Sequence, residues 1–223
     1  NIRLEGVTLQ GPLNQSTYVQ SHTGIYGNNT VYSPTHVINY LRGIEIVDVA
    51  VQNFGQYGIR FDYLQDSRIE RCDIDFIGSH GIFLGAGSFD NVIDNNNVQN
   101  IVPGQTDQGT APYHPAYGIT ITRDSARDTT EAPVSKRNRI TNNRVKNVPS
   151  WIGIDSHGAQ ETLISDNLVQ LCSICIHLED GNGGGSTVAA TKTTISDNVC
   201  IGNTGTSFQE GPGISLQGAG DAS

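Results

Sequence analysis

The chain has 223 residues, of which 36% are apolar and only 16% charged, with 26 glycines. This mix is too evenly seeded with Ile and Val for a disordered chain, and no apolar run approaches the ~20 residues of a membrane span. A net charge of −9, from 13 basic and 22 acidic residues, argues against a nucleic-acid binder that works by neutralising phosphates.

A single elongated domain over 1–223 is the expectation. The chain begins at Asn1, contains no Met and carries no basic-then-apolar leader, which reads as a mature or excised portion. Cys172 and Cys175 form one C-x-x-C, while Cys72 and Cys200 lie far away without a second pair. A zinc site is not expected from that spacing, and small buried thiols are. The sequons at Asn14 and Asn28 carry meaning only in a eukaryotic secretory setting.

Taken in chain order, a repeat emerges. Leu4–Leu9 shows it weakly and Ile46–Val51 more clearly. It then recurs as Ile69–Ile74, Ile93–Val98, Ile140–Val145, Ile164–Val169 and Ile195–Cys200. From Ile69 onward the template is φ-x-x-Asn-x-φ, with Cys72 standing in for Asn once. Successive steps from Ile69 are 24, 47, 24 and 31 residues, the longer ones holding polar insertions. A second element precedes each unit: Gly58–Phe61, Gly81–Leu84, Gly118–Ile121, Gly153–Ser156 and Cys175–Leu178, with Gly213–Leu216 closing the series.

Apolar residues recur at spacing two, so each unit reads as two short strands and not as helices. Stacked in parallel, such units form a solenoid whose coils lie about 4.8 Å apart. The Asn column then stacks inside or at a bend, each side-chain amide bonding its neighbour. Segments near 10–36, 102–115, 123–137 and 181–192 break the period and read as loops leaving the coil.

Alternation assigns the faces of the Gly-led strand. Ile59/Phe61, Ile82/Leu84, Ile119/Ile121, Ile154, Ile176/Leu178 and Ile214/Leu216 point inward. The outward column reads Arg60/Asp62, Phe83/Gly85, Thr120/Thr122, Asp155/His157, His177/Glu179 and Ser215/Gln217. Two adjacent coils thus present Asp155, His157, His177 and Glu179 on one outer surface, with Asp155 beside His177 and His157 beside Glu179. Opposite charges on neighbouring strands can be plain sheet stabilisers worth a few tenths to about 1 kcal/mol. Two imidazoles interleaved with two carboxylates, where other coils carry Thr, Ser or Gly, instead suit proton transfer.

The φ-x-x-Asn-x-φ units resemble those of the pectate-lyase-like superfamily, over 41–217 well and over 1–40 poorly. The resemblance implies an all-β fold, a right-handed single-stranded parallel β-helix, here part of a longer one. The segment Gly153-Ile-Asp-Ser-His157 also resembles the Asp-Pro-His-Glu motif of mannuronan C5-epimerases. By that resemblance Asp155 and His157 act at the reacting sugar and Glu179 is the assisting acid of the next coil. Ser156 stands for the motif's Pro, Gly158 for its Glu, and Ile152 where the family places a Tyr. Tyr117, one coil earlier, or Tyr113 are the candidate replacements.

These readings imply an extracellular or surface-located protein acting on a polysaccharide. Uronate lyase or C5-epimerase chemistry leads, and both begin by removing the C5 proton beside a carboxylate that Arg60 or Arg123 would neutralise. Trp151, Tyr117, Tyr113 and His114 are further substrate-binding candidates. An inverting glycoside hydrolase of phage tailspike type is the alternative, because Asp155 and Glu179 have backbones about 8 Å apart by strand spacing and rise; a homotrimer would accompany it. The third reading is a non-catalytic glycan-binding or structural β-helix. No metal is assigned to the cluster. Ca²⁺ stays open as a cofactor, with Asp124, Asp128 and Glu131 as donors that lack EF-hand spacing.

Overall fold

The computed structural model describes residues 1–12, 22–28, 40–102, 116–122, 134–179, 190–202, 211 and 213–217. All the regular structure there is β, and every strand pairing is parallel. Among the described residues, no helix is long and apolar enough to cross a membrane.

Each coil presents three main faces. The first is a seven-stranded sheet running from Ile2–Glu5 through Ile44–Val47, Arg68–Glu70, Val92–Asp94, Arg139–Thr141 and Leu163–Ser165 to Thr194–Ser196. The second includes Thr8–Gln10, Ala50–Phe54, Asp73–Ile77 and Asn97–Ile101, and the third includes Thr23–Gly27, Tyr57–Asp62, His80–Gly85 and Tyr117–Thr122. In two coils a single long strand, Arg144–His157 or Leu168–Glu179, runs from the second face onto the third, fusing them into one twelve-stranded sheet. A minor corner pairs Leu41–Arg42 with Leu64–Gln65 and continues as bridges through Phe89, Lys136 and Gln160.

The expected two strands per unit therefore become three. The φ-x-x-Asn-x-φ template is not one strand: it spans a bend between the first and second faces. Its third position takes positive φ in Asp48, Arg71, Asn95, Asn142, Asp166 and Asp197, a conformation that Asn and Asp tolerate better than most residues. The chain turns there, and the fourth position points into the core. The 47-residue step is a single coil, since Val92 pairs directly with Arg139. The 31-residue step is likewise one coil, with Leu163 on Thr194.

The Asn column forms the expected ladder. Asn96 donates to Asn143 at 2.9 Å, Asn143 to Asn167 at 3.0 Å and Asn167 to Asn198 at 2.9 Å. Each amide also donates to a backbone carbonyl; for Asn143 this is Ile93. A second ladder at another bend links Asn91 to Asn138. Around these polar rails the apolar columns are dry. Ile69, Ile93, Ile140 and Ile164 line one, and Ile59, Ile82, Ile119, Ile154 and Ile176 another, none more than 1% exposed. Each such side chain contributes roughly 1.5–3 kcal/mol on burial.

Two expectations need correction. Ile214 and Leu216, expected to point inward, are exposed, because among the described residues their strand pairs on one side only. The cysteines were expected to be thiols throughout, but Cys175 and Cys200 form a disulfide, while Cys72 and Cys172 are free and buried. The reason is positional. In other coils a Gly packs against the Val of the next coil, as Gly81 on Val98, Gly118 on Val145 and Gly153 on Val169. In the next coil those two columns hold Cys175 and Cys200, and the packing contact becomes a covalent bond.

Candidate active site

The third face carries the cluster, and its register places it. Thr120 pairs with Asp155, Thr122 with His157, Asp155 with His177 and His157 with Glu179. The strands that hold these residues are the two long ones, so the site is pinned from both the second and the third faces. Beneath it lie Ile154 and Ile176, fully buried.

Asp155 is the hub. Its Oδ1 lies 3.1 Å from Nδ1 of His177 and its Oδ2 lies 3.3 Å from Nδ1 of His157. On the far side of the His157 ring, Nε2 lies 2.6 Å from Oε2 of Glu179. An imidazole with carboxylate oxygens on both nitrogens satisfies both only when it carries both protons. The hydrogen bond from His157 holds the Glu179 carboxyl below its usual range, with the charges of His157 and His177 acting in the same direction.

The cluster is graded in depth. The Asp155 and His177 side chains are 0% and 4% exposed, whereas those of His157 and Glu179 are 23% and 34% exposed. The expectation that all four stand on the outer surface is thus half corrected. Alternation points Asp155 and His177 away from the core, but neighbouring side chains cover them. Two imidazole nitrogens face the two Asp155 oxygens there. Only the His157–Glu179 pair can meet a solute.

Tyr117 joins them. It pairs with Ile152 on the next coil, one strand from the position where the motif places its Tyr. Its ring lies edge-on to His157, with centroids 5.8 Å apart, and stacks on His80 at 4.7 Å. The Trp151 indole donates to the Tyr117 hydroxyl. Burial first, then the Asp155 and Glu179 charges, push the Tyr117 phenol well above its ordinary value, so it stays a neutral donor. Trp151 therefore orients Tyr117.

An aromatic file continues toward the first coils. Tyr57 stacks on His80 at 5.0 Å. Burial, with Arg60 and His157 as positive neighbours, pushes the His80 imidazole down to about 3. The place of His80 between Tyr57 and Tyr117 comes from coil stacking, which residue spacing alone does not reveal. Arg60 sits over the rings of Tyr57 and Phe83, 4.7 and 5.1 Å from their centroids, and bonds Asp62 at 3.1 Å. Three strand steps separate Arg60 from Asp155 through Phe83 and Thr120, about 14 Å at the usual spacing. Arg60 is therefore not beside His157. Tyr113, His114, Arg123, Asp124, Asp128 and Glu131 lie outside the described residues, as does most of each expected loop. A separate concavity of about 490 Å³, lined in part by Arg42, Glu45, Asp66 and Arg68, belongs to the first coils and contains none of the cluster.

Comparison with known proteins adds the following. A family model described as a right-handed beta helix region matches residues 1–147. None of the curated proteins matches the sequence. Among solved structures, a periplasmic alginate epimerase is 13% identical, with a TM-score of 0.47 over 97% of this chain and 43% of its own. An alginate lyase from a Paenibacillus species is 16% identical, TM-score 0.40, over 96% of this chain and 89% of its own. The A-module of a mannuronan C-5 epimerase from Azotobacter vinelandii is 15% identical, TM-score 0.31, over 81% and 63%. The chain thus spans less than half of the first of these.

Proposed function

Given that this chain belongs to the family of right-handed β-helix proteins, we propose that it is an enzyme acting on an extracellular, uronate-containing polysaccharide by proton transfer at C5. The single observation that carries this reading is the half-exposed His157 flanked by Asp155, Glu179 and Tyr117. Asp155 lies against Nδ1 of the ring, and Nε2 faces Glu179, whose side chain is the more exposed of the pair. When a sugar enters, the Nε2 proton passes to Glu179, and the neutral ring, with its Nδ1 proton still facing Asp155, takes the C5 proton at Nε2. The Tyr117 hydroxyl, kept neutral by its surroundings, is the opposing donor, returning a proton to C5 in an epimerase or to the leaving oxygen in a lyase.

This division of labour favours a lyase or epimerase over an inverting hydrolase. A hydrolase needs two carboxyl groups flanking a sugar with room for water, whereas Asp155 is sealed and shares one imidazole with Glu179. Arg60 suits the carboxylate of a more distant sugar along the same face, with Tyr57 and Phe83 as stacking surfaces. The Cys175–Cys200 disulfide supports an extracellular or surface location, since such bonds persist in oxidising compartments.

Incubation with uronate polymers tests the reading. Unsaturated uronate absorbing in the ultraviolet marks a lyase, and altered stereochemistry at intact chain length marks an epimerase. New reducing ends without either would overturn it in favour of hydrolysis. The His157→Ala variant should lose activity by about 10²–10⁴-fold. Polymer binding without product, equal in both proteins, would leave a lectin-like surface.

A further inference from the structure

We infer that Asp155, His157 and His177 form a binding site for one divalent transition-metal ion of the Zn²⁺ or Co²⁺ type. The argument rests on the donor set and not on the polysaccharide reading. One carboxylate and two imidazole nitrogens converge, and their donor atoms lie within 4.8 Å of one another. The Asp155 oxygens are 3.1 and 3.3 Å from the two Nδ1 atoms. An ion holding His and Asp donors at about 2.0–2.1 Å in tetrahedral array spaces them about 3.3 Å apart. Each imidazole faces its own Asp155 oxygen, so an ion is held once the three donor atoms close from within 4.8 Å toward that spacing.

The surroundings are those of a metal centre. Asp155 and His177 are buried, so two of the donors are already stripped of water at folding. Glu179 bonds Nε2 of His157 while Nδ1 faces Asp155. That is the outer-carboxylate arrangement which fixes the ring and raises the basicity of a ligating imidazole. Two imidazoles with one carboxylate select Zn²⁺, Co²⁺, Ni²⁺ or Cu²⁺ over Mg²⁺ and Ca²⁺, which prefer all-oxygen shells. Three protein donors leave the fourth position of a tetrahedral ion to water or a small ligand. The ion displaces the Nδ1 protons of both rings, so binding weakens as pH falls. Because it occupies His157, it also blocks the proton transfer proposed above.

The test is a titration of the intact chain with Co²⁺ alone, read by visible absorption and by calorimetry, with Ca²⁺ as the contrast. One equivalent should bind with a tetrahedral Co²⁺ spectrum, and Ca²⁺ should not compete. Asp155→Asn and His157→Ala should each abolish the spectrum. Glu179→Gln, on a half-exposed side chain whose loss leaves the fold intact, should weaken affinity about 10–100-fold. Absence of stoichiometric Co²⁺ binding, or binding unchanged in both His157→Ala and Glu179→Gln, overturns the site. These readouts need no substrate, so a failed activity assay and a failed metal site are separable.

Discussion

Two regions of the third face share backbone, strand register and buried Ile columns, yet their outward groups behave differently. Around Arg60 the polar groups close on themselves: the guanidinium bonds Asp62 in its own strand and is capped by Tyr57 and Phe83. Around His157 they also reach across strands, from Asp155 to His177 and from His157 to Glu179, with Asp155 and His157 facing each other within one strand. The first region is a self-satisfied cation on an aromatic platform. The second is a polar chain with a buried end and an open one. A repeated scaffold thus supplies positions, and chemistry follows from which side chains occupy two consecutive coils.

The comparison can be broken most directly at Tyr117. Tyr117→Phe keeps the stack on His80 but removes the hydroxyl, and kcat should fall about 10²–10⁴-fold while KM barely moves; the Trp151 indole loses its acceptor, which should cost about 1 kcal/mol of stability. Equal kcat would remove Tyr117 from the chemistry.

Next in size is the staple beside the cluster. Replacing the Cys175–Cys200 pair by the Gly and Val that other coils use, as Cys175→Gly with Cys200→Val, restores the packing without the bond. Losing a link across 25 residues should cost about 3 kcal/mol in denaturant unfolding. No change on reduction of the parent chain would show the last coil holding without it.

Asn143→Ala probes the rails beneath both regions. It strands the Asn96 amide and the Ile93 carbonyl, and should cost about 2–3 kcal/mol in the same measurement. Gly213→Ala, where an added Cβ meets nothing, should be neutral, whereas Gly118→Ala collides with Val145 and with the Gly153 carbonyl and should destabilise clearly.

Acid sharpens the comparison at its midpoint, His80. Its folded pKa of about 3 lies below the ordinary imidazole value of 6.5, so between those pH values the unfolded chain binds the extra proton. Stability from this group is full above the unfolded pKa and falls as pH drops toward 3, by up to about 1.4 kcal/mol per unit. The charged and titratable groups facing it are Arg60, His157, Tyr57 and Tyr117. His80→Phe should flatten that slope in unfolding curves taken at stepped pH. The smallest effect is expected at Arg60. Arg60→Gln should raise KM for a polymer several-fold and leave kcat unchanged, because Arg60 lies about 14 Å from the reacting position.

Much of this was legible beforehand. The φ-x-x-Asn-x-φ template exposed the coil count, the Asn ladder and the inward columns. Its period also predicted that residues 155 and 177, and 157 and 179, would be neighbours. The three-faced coil was not legible, because a positive-φ residue such as Asn95 or Asp166 turns the chain without interrupting the apolar spacing. Nor was the disulfide: Cys175 and Cys200 are 25 residues apart in sequence, and only the stacking of one coil's Gly column on the next coil's Val column joins them.

By itself, then, the sequence determined a parallel solenoid and the register of its outward residues, since strand alternation and coil length are local properties written in the spacing of apolar side chains. Only the tertiary structure decided that Asp155 and His177 are buried, that Tyr117 sits against His157, and that Arg60 stands apart. Those outcomes depend on which side chains from different coils cover one another. No interval along the chain encodes that coverage.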